Sequence, residues 1–378
     1  MASGMGGDTD GAPARTDGVP AQTIELAGKR IPRIGTGTMA LAIEGRPALA
    51  SGAPDRAAAI TAVHAALDAG VRYLDTAWSY YLPTRPPFGA PGDLGYGERL
   101  TTEALATWDG PRDEVLVATK TGFLRTLDAS GTVTLPECGI GGDDCGVSGC
   151  GASDRAGRVA GAGADADAAQ SAASRVRPVY QAPGSRYGWA PDARPATIAR
   201  EARESAARLG LGDEPIDLLY SHGPDPGVPY EDQMGAFRTL VDQGLVRYVG
   251  ISRVSVAQID TARGILGDAL VAVQNEFSPS HPDTGGTLER CRELGLAFVA
   301  FSPLGGFLDP VDARAYDRFR EAGARLGCSH QRAVLAWELA QYGRLVAIPS
   351  ARNPHEARDS FAATELDPAE VGFGGAAG

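Results

Sequence analysis

Residues 73–83 read YLDTAWSYYLP. A short apolar run ends on Asp75, and two adjacent tyrosines, Tyr80 and Tyr81, follow. The run has the length of a strand, and a carboxylate closing a buried strand is costly unless a partner waits for it. Working outward, the same form recurs. EVLVATK (114–120) ends on Lys120, and PIDLLYS (215–221) runs into His222. VRYVGIS (246–252) ends on Ser252, followed by Arg253, and ALVAVQN (269–275) ends on Gln274 and Asn275. AFVAFS (297–302) ends on Phe301 and Ser302, and RLVAIPS (344–350) is followed by Arg352. RIGTG (33–37) begins the series.

These runs are nearly continuous in Val, Leu, Ile and Ala, as in a parallel sheet covered on both faces. Helical patterns separate them. DRAAAITAVHAALDAG (55–70) starts at a capping Asp55, places Ile60, Val63 and Leu67 on one face, and stops at Gly70. YEDQMGAFRTLVDQG (230–244) places Met234, Phe237 and Val241 on one stripe and stops at Gly244. No GxGxxG opens the first helix, which weakens a Rossmann reading. Eight strand–helix units predict an α/β fold: a (β/α)8 TIM barrel over 23–366. TIELAGKRIPRI (23–34) predicts an N-terminal β-hairpin turning at Gly28-Lys29.

Residues 1–22 lack an apolar core, so they read as a disordered leader and not as a secretory signal. Residues 367–378 read as a flexible tail. A long insertion after the third strand, 126–190, breaks the pattern. Its middle is rich in Gly, Ala, Ser and Asp and is expected to be disordered. Its aromatic end, PVYQAPGSRYGW (178–189), is placed to act as a flap over the site.

The net charge is −12 over 378 residues, which argues against nucleic acid as a partner. No apolar run is long enough for a membrane span. Five cysteines give no disulfide framework, and the cytoplasm is the expected compartment. Cys138, Cys145 and Cys150 lie in the insertion without CxxC spacing or a nearby His, so no metal site is expected. Lysine occurs only at Lys29 and Lys120. Lys29 reads as a chance survivor in a turn. Lys120 reads as functional, because a compact ammonium does what a guanidinium fork cannot.

Asp, Lys and His converge from adjacent strand ends, at the face where barrel enzymes carry their chemistry. An ammonium beside a phenol favours phenolate and makes Tyr a usable acid, an Asp fixes the ammonium, and a neutral His orients a carbonyl oxygen. On this reading Asp75 anchors Lys120, and the tyrosine beyond is the proton donor.

These residues resemble the aldo-keto reductase family. The likeness is carried by RIGTGTM (33–39), GVRYLDTAWSY (70–80), VLVATKTG (115–122), IDLLYSHGPDP (216–226), GLVRYVGIS (244–252), VQNEFSP (273–279), AFSPLGG (300–306) and AIPSARNPHEARDS (347–360). The resemblance implies an NADPH-dependent enzyme that reduces an aldehyde or ketone, and the two long insertions, after strands two and three, suggest a particular and fairly large substrate, such as a keto-sugar or a biosynthetic intermediate. It implies a tetrad of Asp75, Tyr80, Lys120 and His222, with Tyr80 chosen because the family's tyrosine stands five residues after its Asp. It also implies cofactor contacts from Gly37, Thr38, Ser252, Arg253, Gln274, Phe301, Ser302, Pro303, Leu304, Ser350 and Arg352. Among these, Arg352 would meet the 2′-phosphate.

Three departures stand out. Arg253 replaces an Asn at the carboxamide and is placed to reach a substrate anion or a cofactor phosphate. Phe301 replaces a Tyr or Trp, and Ser360 replaces an Asn at the adenine. An extra PTRPPFGAPGDL loop (83–94) brings Tyr96 forward as a substrate contact or an alternative acid. Two other readings stay open: a redox-sensing or regulatory subunit that binds NADPH with little turnover, and a sugar dehydrogenase running oxidatively with NAD. The sequence sets no oligomeric state.

Overall fold

The computed structural model describes residues 23–43, 55–85, 88–90, 92–127, 130–135, 175–181, 185–306 and 311–372. Eight strands form one parallel sheet: Thr36–Gly37, Tyr73–Asp75, Leu116–Thr121, Ile216–Ser221, Val246–Ser252, Leu270–Glu276, Ala297–Phe301 and Leu345–Ala347. They lie side by side in chain order. The sheet's two ends meet where Ile34 bridges Ala347, with Gly35 N donating to Ala347 O (2.9 Å) and Gly37 N to Pro349 O (3.0 Å). The chain is therefore an α/β (β/α)8 barrel. Register fixes the site: Gly37 pairs with Asp75, Asp75 with Ala118, and Lys120 with Tyr220. All the sequence-selected strand ends thus open at one face.

Helices cover the outside, and their ends follow local chemistry. Asp55 accepts from Ala57 N and Ala58 N to start the helix Arg56–Ala69, and Gly70 ends it at φ +119°. A side chain at Gly70 would also strike the Phe361 ring. Ser255 and Gln258 form a capping box at the start of Val256–Leu266. In Tyr230–Asp242, Met234 and Phe237 are buried and Val241 is half-buried, as the predicted stripe requires. Helices at Tyr96–Ala106, Pro195–Arg208, Thr287–Leu294, Asp317–Leu326, His330–Gln341 and Pro354–Phe361 add to the coat.

The hairpin Thr23–Leu26/Lys29–Pro32 closes the opposite face of the barrel, packing Ile24, Leu26 and Ile31 under the interior strand residues. Its turn is Ala27-Gly28, both with positive φ (49° and 77°), and not Gly28-Lys29. Such a two-residue turn matches the strand twist. Lys29 is no chance survivor. Its Nζ donates to Asp113 O (2.7 Å) and Val115 O (3.1 Å) and pairs with Asp217, fastening the plug to the strand starts.

The ends of the insertion are ordered. Phe123–Thr126, Gly188–Pro191 and Tyr180–Gln181 form a three-stranded antiparallel sheet, and Thr132–Thr134 pairs with Val176–Pro178. Arg125 is fully buried, its guanidinium 3.9 Å from the Trp189 ring. The Gly-rich middle, its three cysteines and the leader lie outside the described residues. The expected tail begins instead as a short helix, Pro368–Val371, capped by Asp367, because Val371 finds a buried site.

Candidate active site

Asp75 and Lys120 form an ion pair at the centre, with side chains 2% and 1% exposed. Lys120 Nζ also donates to Thr76 O (2.9 Å), and Gln274 Nε2 donates to Asp75 Oδ2 (2.9 Å). A buried pair survives only when its remaining polar atoms are satisfied in this way. Lys120 Nζ lies 5.3 Å from the centre of the Tyr80 ring. The His222 ring stands edge-on to Tyr80 at 5.8 Å and stacks on Phe123 at 5.0 Å. His222 Nδ1 lies 3.3 Å from Ser79 Oγ.

Burial raises the Tyr80 phenol above its ordinary value, and Lys120 and Arg253 pull it part of the way back. The sequence argument considered only the second influence. His222 is held well below 6.5, first by burial and then by the charges of Lys120 and Arg253, so its ring is neutral near pH 7. Tyr81 points elsewhere: it is fully buried, its hydroxyl donates to Phe88 O and accepts from Arg125 N. Tyr96 packs against both the Trp78–Tyr81 cluster and the cluster of Ala42, Ile43 and Tyr80, and is not among the residues lining the cavity.

A cavity of about 640 Å³ opens over this group and runs outward to the helix Pro354–Phe361. Tyr80, His222 and Asp75 line its inner end. Of the residues singled out for a cofactor, Gly37, Ser252, Arg253, Gln274, Phe301, Ser302, Pro303, Leu304, Ser350 and Arg352 line it as well. Thr38 does not: its hydroxyl and amide both donate to Asp75 O (3.0 and 2.8 Å), which ties the first strand to the second. Arg253 and Ser302 hold positive φ (58° and 48°), strain that non-glycine residues carry mainly at functional sites. Arg253 lies within 5.7 Å of the ring centres of Phe123, Tyr180 and Phe301. Arg352 forks onto Glu356, one turn along. Ser360 lines the outer end.

Sequence reasoning missed Met39, Ile43 and Phe123 beside Tyr80, since apolar walls carry no local signal. Trp189 also lines the cavity, and the aromatic end of the insertion had pointed to it. Among the described residues no cluster suited to a metal ion occurs, and no helix is long and apolar enough to cross a membrane.

The model of the aldo/keto reductase family matches residues 33–372. The chain belongs to the aldo/keto reductase family. Among similar curated proteins, pyridoxine 4-dehydrogenase of Escherichia coli (strain K12) is 28% identical over 190 residues, 48% of this chain and 63% of that protein. An aldo-keto reductase of Strobilurus tenacellus is 31% identical over 189 residues, 42% of this chain and 55% of its own length. The matches thus span less than two thirds of these relatives. A thermostable aldo-keto reductase solved with the inhibitor epalrestat superposes with a TM-score of 0.60 at 22% identity, covering 93% of this chain and 97% of that one. Glycerol dehydrogenase from Gluconobacter oxydans gives 0.60 at 21% identity, covering 93% of each. These last two likenesses concern the fold of this aldo/keto reductase, a barrel with its cavity at the strand C-termini.

Proposed function

We propose that this family member reduces a small aldehyde or ketone to an alcohol with NADPH, using Tyr80 as the proton donor. One observation carries the reading: the Tyr80 phenol faces the cavity with a buried ammonium against its ring and a neutral imidazole beside it. Burial keeps Tyr80 protonated at neutral pH, the form an acid needs.

The residues present suit the dinucleotide. The cavity is long, and its outer end carries Arg352 next to the Asn353-capped start of the helix Pro354–Phe361, a favourable place for phosphate. Phe301 offers an apolar face for a nicotinamide, and Ser252, Gln274 and Arg253 stand where its carboxamide would be met. Ser302, Pro303, Leu304, Gly37 and Ser350 would line its path. NADPH, when bound, supplies the hydride that the carbonyl carbon accepts.

The chain's own residues do the rest. With Nδ1 engaged by Ser79, His222 Nε2 is left to orient the carbonyl oxygen. As the C=O π bond breaks, that oxygen takes the phenolic proton of Tyr80. The phenolate left behind is stabilised by Lys120, which Asp75 holds in place, and solvent returns the proton. Trp189, Phe301, Met39 and Ile43 give the mouth an aromatic and apolar wall, suited to a substrate with a ring or apolar face beside its carbonyl.

The test is NADPH oxidation by the purified chain against a panel of aldehydes, ketones and keto-sugars. Turnover on at least one carbonyl, lost in Tyr80→Phe, is expected. Tight NADPH binding with no turnover on any member would favour the regulatory reading instead.

A further inference from the structure

Beneath the catalytic centre the barrel interior carries two tyrosines that the proposed mechanism does not use. Tyr73 stands two residues before Asp75 on the same strand, so both side chains point inward. Tyr220 lies on the fourth barrel strand, in register with Lys120. Both rings are fully buried. The Tyr73 hydroxyl is 3.3 Å from Asp75 Oδ2 and 3.3 Å from the Tyr220 hydroxyl. Gln274 Nε2 donates to the same Asp75 oxygen (2.9 Å).

Counting protons orders these contacts. Asp75 as a carboxylate only accepts, and each phenol has one proton to give. The Tyr73 proton is drawn to the anion, so the Tyr220 proton closes the contact between the two hydroxyls. Gln274 donates to Asp75. The four groups make a chain whose donors, Tyr73 and Gln274, converge on Asp75 Oδ2. The fold makes room for it: a Cβ at Gly250 would lie 2.1 Å from the Tyr220 ring. Burial, followed by the neighbouring phenol and Asp75, holds Tyr73 well above 10, so it remains a neutral donor.

We propose that Tyr73 and Tyr220 are positioning residues that act through Asp75 to set how firmly Lys120 is held, and through Lys120 the acid strength of Tyr80. The inference rests on the reductase reading above. Without the Tyr73 hydroxyl, the charge on Asp75 is less dispersed and draws Lys120 closer, which weakens the field the ammonium exerts on Tyr80. The other groups facing Tyr80 are Arg253, whose backbone N donates to Gln274 O (3.1 Å), and the neutral His222. Both 3.3 Å contacts are long for hydroxyl bonds, so the effect is small and graded.

The experiment uses Tyr73→Phe, Tyr220→Phe and the double variant, all close to isosteric. In Tyr73→Phe the basic limb of kcat for reduction should move up by roughly 0.5 pH unit. Tyr220→Phe should move it less, and should add nothing in the Tyr73→Phe background. A second readout needs no turnover. Because lysine occurs only at positions 29 and 120, lysine-selective 13C labelling gives two side-chain signals. The Lys120 signal should shift in Tyr73→Phe while the Lys29 signal stays. A Tyr73→Phe protein with its pH limb and its Lys120 signal both at wild-type positions would overturn the proposal. Were every carbonyl refused, the reductase reading would fall and the Lys120 signal alone would decide this one.

Discussion

Replacing Lys120 with methionine removes the charge but keeps most of the buried volume, and two consequences can be sized from the structure. The first is chemical. The ammonium lies 5.3 Å from the Tyr80 ring centre. At an effective dielectric of ~20, unit charges at that separation interact by roughly 3 kcal/mol. That corresponds to about two pKa units on the phenol, and kcat for reduction should fall by roughly a hundredfold or more. The second is structural. Asp75 is 2% exposed and would keep a buried charge with only neutral donors around it. Breaking such a pair from one side costs about 3–5 kcal/mol, a large part of a typical domain's stability. Urea unfolding measures the second effect and NADPH oxidation the first. The double variant Lys120→Met/Asp75→Asn separates them: neutral on both sides, it should recover most of the stability and none of the activity. A folded Lys120→Met protein with kcat close to wild type would refute the reasoning.

Three further predictions concern binding and stability. Arg352→Ala should weaken NADPH by roughly ten- to a hundredfold, from the loss of roughly 1.5–3 kcal/mol of charged hydrogen bonding, and barely change NADH; fluorescence titration that finds equal losses would end the 2′-phosphate role. His222 is held well below 6.5 in the fold, so the unfolded chain binds a proton that the fold refuses. Its contribution is therefore complete above about pH 6.5 and lost as pH falls towards the folded value. Urea midpoints should drop on acidification, and His222→Gln should flatten that drop. Glu338 is fully buried on the helix His330–Gln341, neither carboxyl oxygen has a partner among the described residues, and burial holds it well above 4.5. A raised value means stability is full below about pH 4.5 and lost as pH rises. Glu338→Leu should thus raise stability at neutral pH by roughly 1–4 kcal/mol, seen as a higher Tm.

The barrel was legible because each strand is an apolar run closed by a polar residue, and that polar residue marks the functional face. Asp55 and Gly70 announced a helix's two ends by capping chemistry alone. The insertion's antiparallel sheets were not legible. Val176–Pro178 is a three-residue strand containing a fully buried arginine, Arg177, and reads as loop. Arg125 misleads in the same way: only the fold shows that it lies beneath Trp189. Lys29 looked incidental because its acceptors, Asp113 and Val115, are more than eighty residues away. The direction of the Tyr80 shift was missed for a related reason. The sequence names the charged neighbour that lowers it, but not the depth of burial that raises it more. Thr38 sits in a matching motif, yet its hydroxyl is spent on the Asp75 carbonyl, a bond set by strand pairing. The Glu356 that holds Arg352 could have been found, since the pair is spaced i,i+4 on a helix start.

The central claim is that one phenol of the adjacent pair delivers the proton. Single-turnover reduction by NADPH-loaded protein, compared for Tyr80→Phe and Tyr81→Phe, tests it most directly. The account predicts that Tyr80→Phe binds NADPH with wild-type affinity and yields no alcohol, while Tyr81→Phe, altered off the cavity wall, still turns over. Alcohol formed by Tyr80→Phe at the wild-type rate, or a dead but well-folded Tyr81→Phe, would contradict it.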